Sequence, residues 1–210
     1  MNHRCHAFVS QHCLLMMPVL VIVASFSRLI TARMIPTRTT GDLLAGMWSL
    51  LSDQLGAVPK RLIWDNETGI GRRNRFAEGA TGFCRTLSTK IHQLTARDPE
   101  SKGVVERTNG YFETSFLPGR VFESPGDFNT QMGLWLPNAN QRTIRSLKTR
   151  PIDLIDADKI AMLGLPPIAA RVGFHGRVRL ARDYYVRVFA NDVSQGYCTR
   201  AEMQDTCSAH

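Results

Sequence analysis

Residues 97–120, RDPESKGVVERTNGYFETSFLPGR, read as a helix with two unlike faces. Asp98 before Pro99 is a start signal, a side-chain acceptor ahead of a residue whose missing N–H costs nothing in the first turn. Leu117-Pro118-Gly119 is the stop. At about 100° per residue, Val104, Val105, Thr108, Tyr111, Phe112 and Ser115 share one side, which can bury against a sheet. Lys102, Gly103, Glu106, Asn109, Gly110 and Glu113 share the other. Two glycines on a solvated face lower helix stability and gain nothing from water, so they suit close approach by something bulky and charged. Glu106, with Lys102 one turn before it, is the leading candidate for chemistry. A plain amphipathic surface helix with a Lys102–Glu106 pair is the alternative.

Upstream, residues 60–66 (KRLIWDN) form a short apolar strand that runs into Asp65, where a carboxylate can project from a sheet edge. A helix-like run over 76–87 and a short strand over 90–94 lie between Asp65 and Glu106. The most apolar run, CLLMMPVLVIVASF at 13–26, is too short to span a bilayer as a helix and contains Pro18. A signal peptide would need a charged start and a small-residue cleavage site, and Ala24-Ser25-Phe26-Ser27 supplies only a poor one. Residues 18–24 are better read as a buried central strand, followed by a turn over 25–29 and a second strand over 30–35. Thr39 or Thr40 then caps a helix over 41–55, with Leu43, Leu44, Met47, Leu50, Leu51 and Gln54 at helical spacing and Gly56 at its end.

This order resembles the RNase H-like core of retroviral-type integrases and transposases, in which two Asp and one Glu hold two divalent metals. The segments WDN (64–66), 97–120 and SRLITARMIPTRTTGDLLAGMW (27–48) are similar to the IstA-type transposase of bacterial insertion sequences that encode a transposase beside an AAA+ helper ATPase. The likeness spans residues 17–192. It implies an α/β fold: an RNase H-like mixed sheet flanked by helices, then a helical segment and an incomplete small β-barrel. It implies Asp65 and Glu106 as catalytic carboxylates and ligands of Mg2+ or Mn2+, converging within roughly 4–8 Å. It further implies Lys102 on a DNA phosphate, and DNA, a helper ATPase and further copies of the chain as partners. A cytoplasmic location follows, at the nucleoid when on DNA.

Composition agrees with a polyanionic partner. Lys plus Arg number 26 against 18 Asp plus Glu, a net charge of +8. The same balance suits an RNA-binding protein. The run NANQRTIRSLKTR at 138–150 carries Arg142, Arg145, Lys148 and Arg150 and no acid. Such a run is usually a solvated face, but beside an integrase-like core these four, with Arg107, are candidates for phosphate contact. The loop over 67–74 would also lie near DNA, or is an ordinary solvated loop. Five scattered cysteines without CxxC spacing suit reduced thiols. The group His3, Cys5, His6, His12, Cys13 fits no familiar zinc spacing, and no metal is expected there.

The expected organisation is an unanchored segment 1–16, a catalytic core 17–125, a basic helical extension 126–165 and a partial barrel 168–193. A linker at Pro166-Pro167 precedes that barrel, and a disordered tail 194–210 follows it. The extension begins with a helix over 125–140 built on Phe128, Met132, Leu134, Trp135 and Leu136, and Pro151 opens another reaching about 165. Alternation over 172–193 suggests a hairpin turning at 181–183.

Residues 1–41 contain no Asp and no Glu. In the resembled family the first catalytic Asp stands on the first strand, and a helix-turn-helix region precedes the core. The chain therefore reads as a piece of a transposase that keeps Asp65 and Glu106. Two carboxylates can hold one ion but are poorly placed to organise a pair. Two functions stay open: a catalytic domain for metal-dependent DNA cleavage and strand transfer, inactive by itself, or a non-catalytic DNA-binding remnant.

Overall fold

The apolar run at Met17–Ala24 is a strand with both faces buried: Leu20, Ile22 and Ala24 enter one core, Val19, Val21 and Val23 the other. Such a strand needs hydrogen-bonding neighbours along both edges. They are β1 (His6–Leu14) and β3 (Ile30–Met34), each antiparallel to this strand, β2. The computed structural model describes residues 6–14, 17–64, 70–72, 75–93, 99–172, 185–188 and 191–194. The chain divides into two compact units, Met1–Val172 and Gly173–His210.

In the first unit, β4 (Arg61–Trp64) lies parallel to β1. A small ribbon follows, of β5 (Gly71–Arg72) and β6 (Arg75–Phe76), and then β7 (Lys90–Gln93) lies parallel to β4. The sheet order is β3-β2-β1-β4-β7. Residues 1–16, expected to be unanchored, thus supply the middle strand. Their sequence lacks clear alternation, and it is the open edge of β2 that recruits them.

Helices cover both faces. Thr39 caps α1 (Thr40–Ser49) by accepting from the Asp42 N–H, and a π-helical turn at Leu50–Leu55 extends it. Gly56, at φ +69°, closes that turn with its N–H on the Leu51 carbonyl. With α2 (Glu78–Leu87), it packs Leu43, Met47, Leu51, Phe83 and Leu87 against Leu20, Ile22 and Trp64. The opposite face carries α3 (Pro99–Ser115) and α4 (Pro125–Asn140). α5 (Pro151–Ala161) adds Ile155 to the first core. The helix expected to reach 165 stops earlier, because Leu163 pairs with Val58 through two backbone hydrogen bonds of 2.8 Å. Ala170 is buried in the same core, so this unit runs past Pro166-Pro167.

The edge strand β3 is closed by side chains. Asn140 donates to the Ile30 carbonyl and accepts from the Ile30 N–H, both at 2.8 Å. Asn129 does the same for Met34, accepting at 2.8 Å and donating at 3.1 Å. Gln54 donates to the Ala32 carbonyl at 3.3 Å. Asn129 and Asn140 stand three helical turns apart, about 16 Å along α4. Ile30 and Met34 span about 13 Å of extended chain. The helix therefore lies alongside the strand, with Ser124 as its cap and Pro125 in its first turn. Leu134, expected in its core stripe, is exposed, whereas Phe128, Met132, Trp135, Leu136 and Ala139 are buried.

In the second unit, β8 (Tyr185–Val188) pairs antiparallel with β9 (Asn191–Ser194), Val188 opposite Asn191. The turn expected at 181–183 lies outside the described residues. The tail 195–210 also lies outside them.

Two substitutions check this packing. Asn140→Ala leaves both buried polar groups of Ile30 unpaired, so chemical denaturation should show a loss of about 2 kcal/mol or more. A Cβ added at Gly46 would stand 2.7 Å from Ile35 Cγ2 and 3.1 Å from Leu20 Cδ2. Gly46→Ala should therefore lower stability by about 1 kcal/mol or more despite alanine's better helix propensity.

Candidate nucleic-acid interface

α3 packs along β1 and sinks Val104, Thr108 and Phe112 into the core beneath it. The buried Thr108 hydroxyl donates back to the Val104 carbonyl at 2.9 Å. Past the helix, Phe116 is fully buried, and with Phe112, Phe122, Phe128 and Trp135 it forms an aromatic cluster with ring centroids 4.7–6.4 Å apart. Tyr111 is half-buried at its rim, 5.6 Å from the Trp135 ring. Of the apolar face expected from sequence, Ser115 is instead exposed.

The opposite face holds Glu106 and Arg107, both exposed. The Arg107 guanidinium folds back over Gly103, whose added Cβ would lie 3.4 Å from Nη1. Around Gly110, by contrast, a Cβ would meet nothing within 4 Å. The side chains of Lys102 and Val105 lie outside the described set, as does Asp65 entirely. β4 ends at Trp64, immediately before it, and Trp64 pairs with Val9 of β1. Beyond that pair β1 continues through Ser10, Gln11, His12, Cys13 and Leu14, with no carboxylate.

Asp42 and Asp53, the next acids in sequence, sit on the α1 side of the sheet, the face opposite α3. Asp42 is hydrogen-bonded by the Thr37 hydroxyl. Asp53 accepts from Ser52 at 2.6 Å and Ser49 at 2.8 Å, and those bonds, with Arg33 nearby, hold its carboxyl below the ordinary range. Neither stands in for an acid on β1.

The basic run divides. Arg142 stacks on the Tyr111 ring, 4.3 Å from its centroid, and donates to the Ala139 carbonyl at the end of α4 at 2.6 Å. Burial lowers the pKa of its guanidinium, with Tyr111 opposing. Arg150 makes a bidentate pair with Asp153 at 2.7 and 2.9 Å in the first turn of α5. That hydrogen bond raises the pKa of Arg150 and lowers that of Asp153. Arg145 and Lys148 are exposed. Arg120, passed over in the sequence reading, lies 4.7 Å from the centroid of the Phe116 ring and donates to Gln131. Its signal was only its place after the helix stop.

Among the described residues no three His, Cys, Asp or Glu side chains are grouped to hold a metal, and no helix is long and apolar enough to cross a membrane. Neither a family model nor a curated protein matches the sequence. The structure is similar to that of the catalytic core domain of BIV integrase, with a TM-score of 0.60 and 17% sequence identity over 76% of this chain and 98% of that one. At that identity the likeness establishes the fold, a mixed α/β sheet of the RNase H-like integrase-core kind.

Open space at Gly110 makes a prediction about the exposed face of α3. Gly110→Ala should raise stability by about 0.5–1 kcal/mol, measured by urea unfolding. A destabilised variant would mean that a neighbour presses on this position.

Proposed function

We propose that this chain is the RNase H-like core of an IstA-type transposase, engaging duplex DNA within a strand-transfer assembly. The observation that carries the reading is the sheet order β3-β2-β1-β4-β7, with β4 ending directly before Asp65 and α3, bearing Glu106, packed along β1. The sequence wording around 27–48 and 97–120 supports the narrower family. A helper ATPase and further copies of the chain belong to the same proposal. So do Lys102, Arg107, Arg142, Arg145, Lys148 and Arg150 as the basic surface toward DNA.

The metal such a core implies is Mg2+ or Mn2+, which takes oxygen donors. Asp65 and Glu106 are the proposed carboxylates. The strand beside β4 contributes none, and Asp42 and Asp53 are held on the far side of the sheet. This donor set suits one weakly held cation and does not fit a paired-metal centre. What the chain's own residues supply is binding: exposed cations such as Arg107, Arg145 and Lys148 for phosphates, with open space at Gly110 on α3. A DNA-binding member of the assembly without catalysis of its own is the second reading, favoured by the acid-free β1.

Both readings expect the folded chain to bind a labelled random-sequence duplex, with log affinity falling linearly in log salt by about 0.9 per neutralised phosphate. Salt-independent binding, or none at low salt, would overturn the proposal. With Mg2+ or Mn2+ and pre-cut transposon ends, this chain alone should give no strand transfer. Transfer that disappears in Asp65→Ala or Glu106→Ala would instead establish a complete catalytic site.

A further inference from the structure

The segment after α4 folds back on itself in a closed turn. The Leu147 N–H donates to the Ile144 carbonyl at 3.1 Å, the Lys148 N–H donates to the same oxygen at 2.7 Å, and the Ile144 N–H donates to the Thr149 carbonyl at 2.9 Å. Ile144 and Thr149 therefore pair as the base of a miniature hairpin. Its last loop residue, Lys148, has φ +53°. In hairpins with a β-turn followed by a bulge, that left-handed position is normally glycine, because a Cβ is strained there.

Here the strained position carries a cation. Ile144 and Leu147 are half-buried and anchor the turn, while Arg145, Ser146 and Lys148 are exposed. Its flanks are fixed by the other two cations of the run. Arg142 is held on Tyr111 and on the Ala139 carbonyl before the turn, and Arg150 is held by Asp153 after it. The four cations thus fall into two kinds, two that brace the turn and two that stand at its tip beside a hydroxyl. No acidic residue lies between Asp127 and Asp153 to neutralise the tip.

We propose that the turn 144–149 is a phosphate-binding element for duplex DNA in which Arg145 and Lys148 make the contacts, while Arg142 and Arg150 are positioning residues. This rests on the DNA-binding reading above and narrows it. The contacts go to backbone phosphates, so they add affinity without sequence preference. A rigid turn presents two cations at fixed spacing at less entropic cost than two side chains on a mobile loop. Backbone strain kept at a position where glycine would be relaxed is consistent with a role for the lysine side chain.

Affinity of the full chain for a random-sequence duplex, measured across a salt series, tests the assignment together with melting temperature. Lys148→Gly should keep or raise the melting temperature while reducing the salt slope by about 0.9, and Arg145→Gln should reduce it by a similar amount. The double variant should lose about twice that. If the wild-type chain binds no DNA, the DNA-binding reading itself fails. If it binds with the usual salt dependence and the double variant keeps the wild-type slope, the phosphate contacts lie elsewhere and the turn proposal is overturned.

Discussion

A strand buried on both faces has no water to satisfy its backbone, and in this protein β2 imposes that constraint on everything around it. Its two apolar faces call for a helical layer above and below, and its two edges call for neighbours. Those needs account for β1 and β3 and for the packing of α1 and α2 against one face and α3 and α4 against the other. The constraint does not stop at β3, which would itself present an unpaired edge. Asn129, Asn140 and Gln54 close that edge with side-chain amides, each of which offers a donor and an acceptor. At the far edge, the Ile91 N–H of β7 hydrogen-bonds the Cys84 thiol, whose pKa burial pushes up and that bond partly offsets. Polar side chains on the helices thus finish a ladder that the strands alone leave open.

Legibility in the sequence followed the strength of local signals. The hairpin of β2 and β3, the cap of α1 at Thr39, the left-handed stop at Gly56 and the start of α4 at Pro125 each rest on a residue type with a narrow conformational role, and each stands where the sequence put it. β1 was not legible, because HAFVSQHCL has neither alternation nor a continuous apolar run, and its pairing is dictated by β2. The end of α5 was misjudged for a similar reason: the pairing of Leu163 with Val58 joins segments far apart in sequence. Leu134 is a third case, where helical spacing nominated a core position that the geometry of α4 against β3 leaves in solvent.

The candidate site was legible in part. Sequence spacing separated the faces of α3 correctly at Val104, Thr108 and Phe112 on one side and Glu106 on the other. Charge counting could not separate the cations of residues 138–150, since partners decide what each one does. Tyr111 lies well upstream of Arg142, and nothing in the sequence announces that its ring will sit under that guanidinium. The Arg150–Asp153 pair was more accessible, being one helical turn at the start of a Pro-initiated helix. Exposed pairs of this kind contribute little to stability, so its interest is geometric.

The acid-free β1 is where fold and chemistry part company. The sheet brings the end of β4 beside Val9 of β1, and α3 packs along β1. That arrangement depends on apolar burial in β2 and on pairing across β1, neither of which requires an acid at any position of the strand. The architecture therefore stands without an acid on β1, because the packing asks for none there. The sheet is for that reason evidence about the fold alone, and the residues along β1 have to be weighed separately from it.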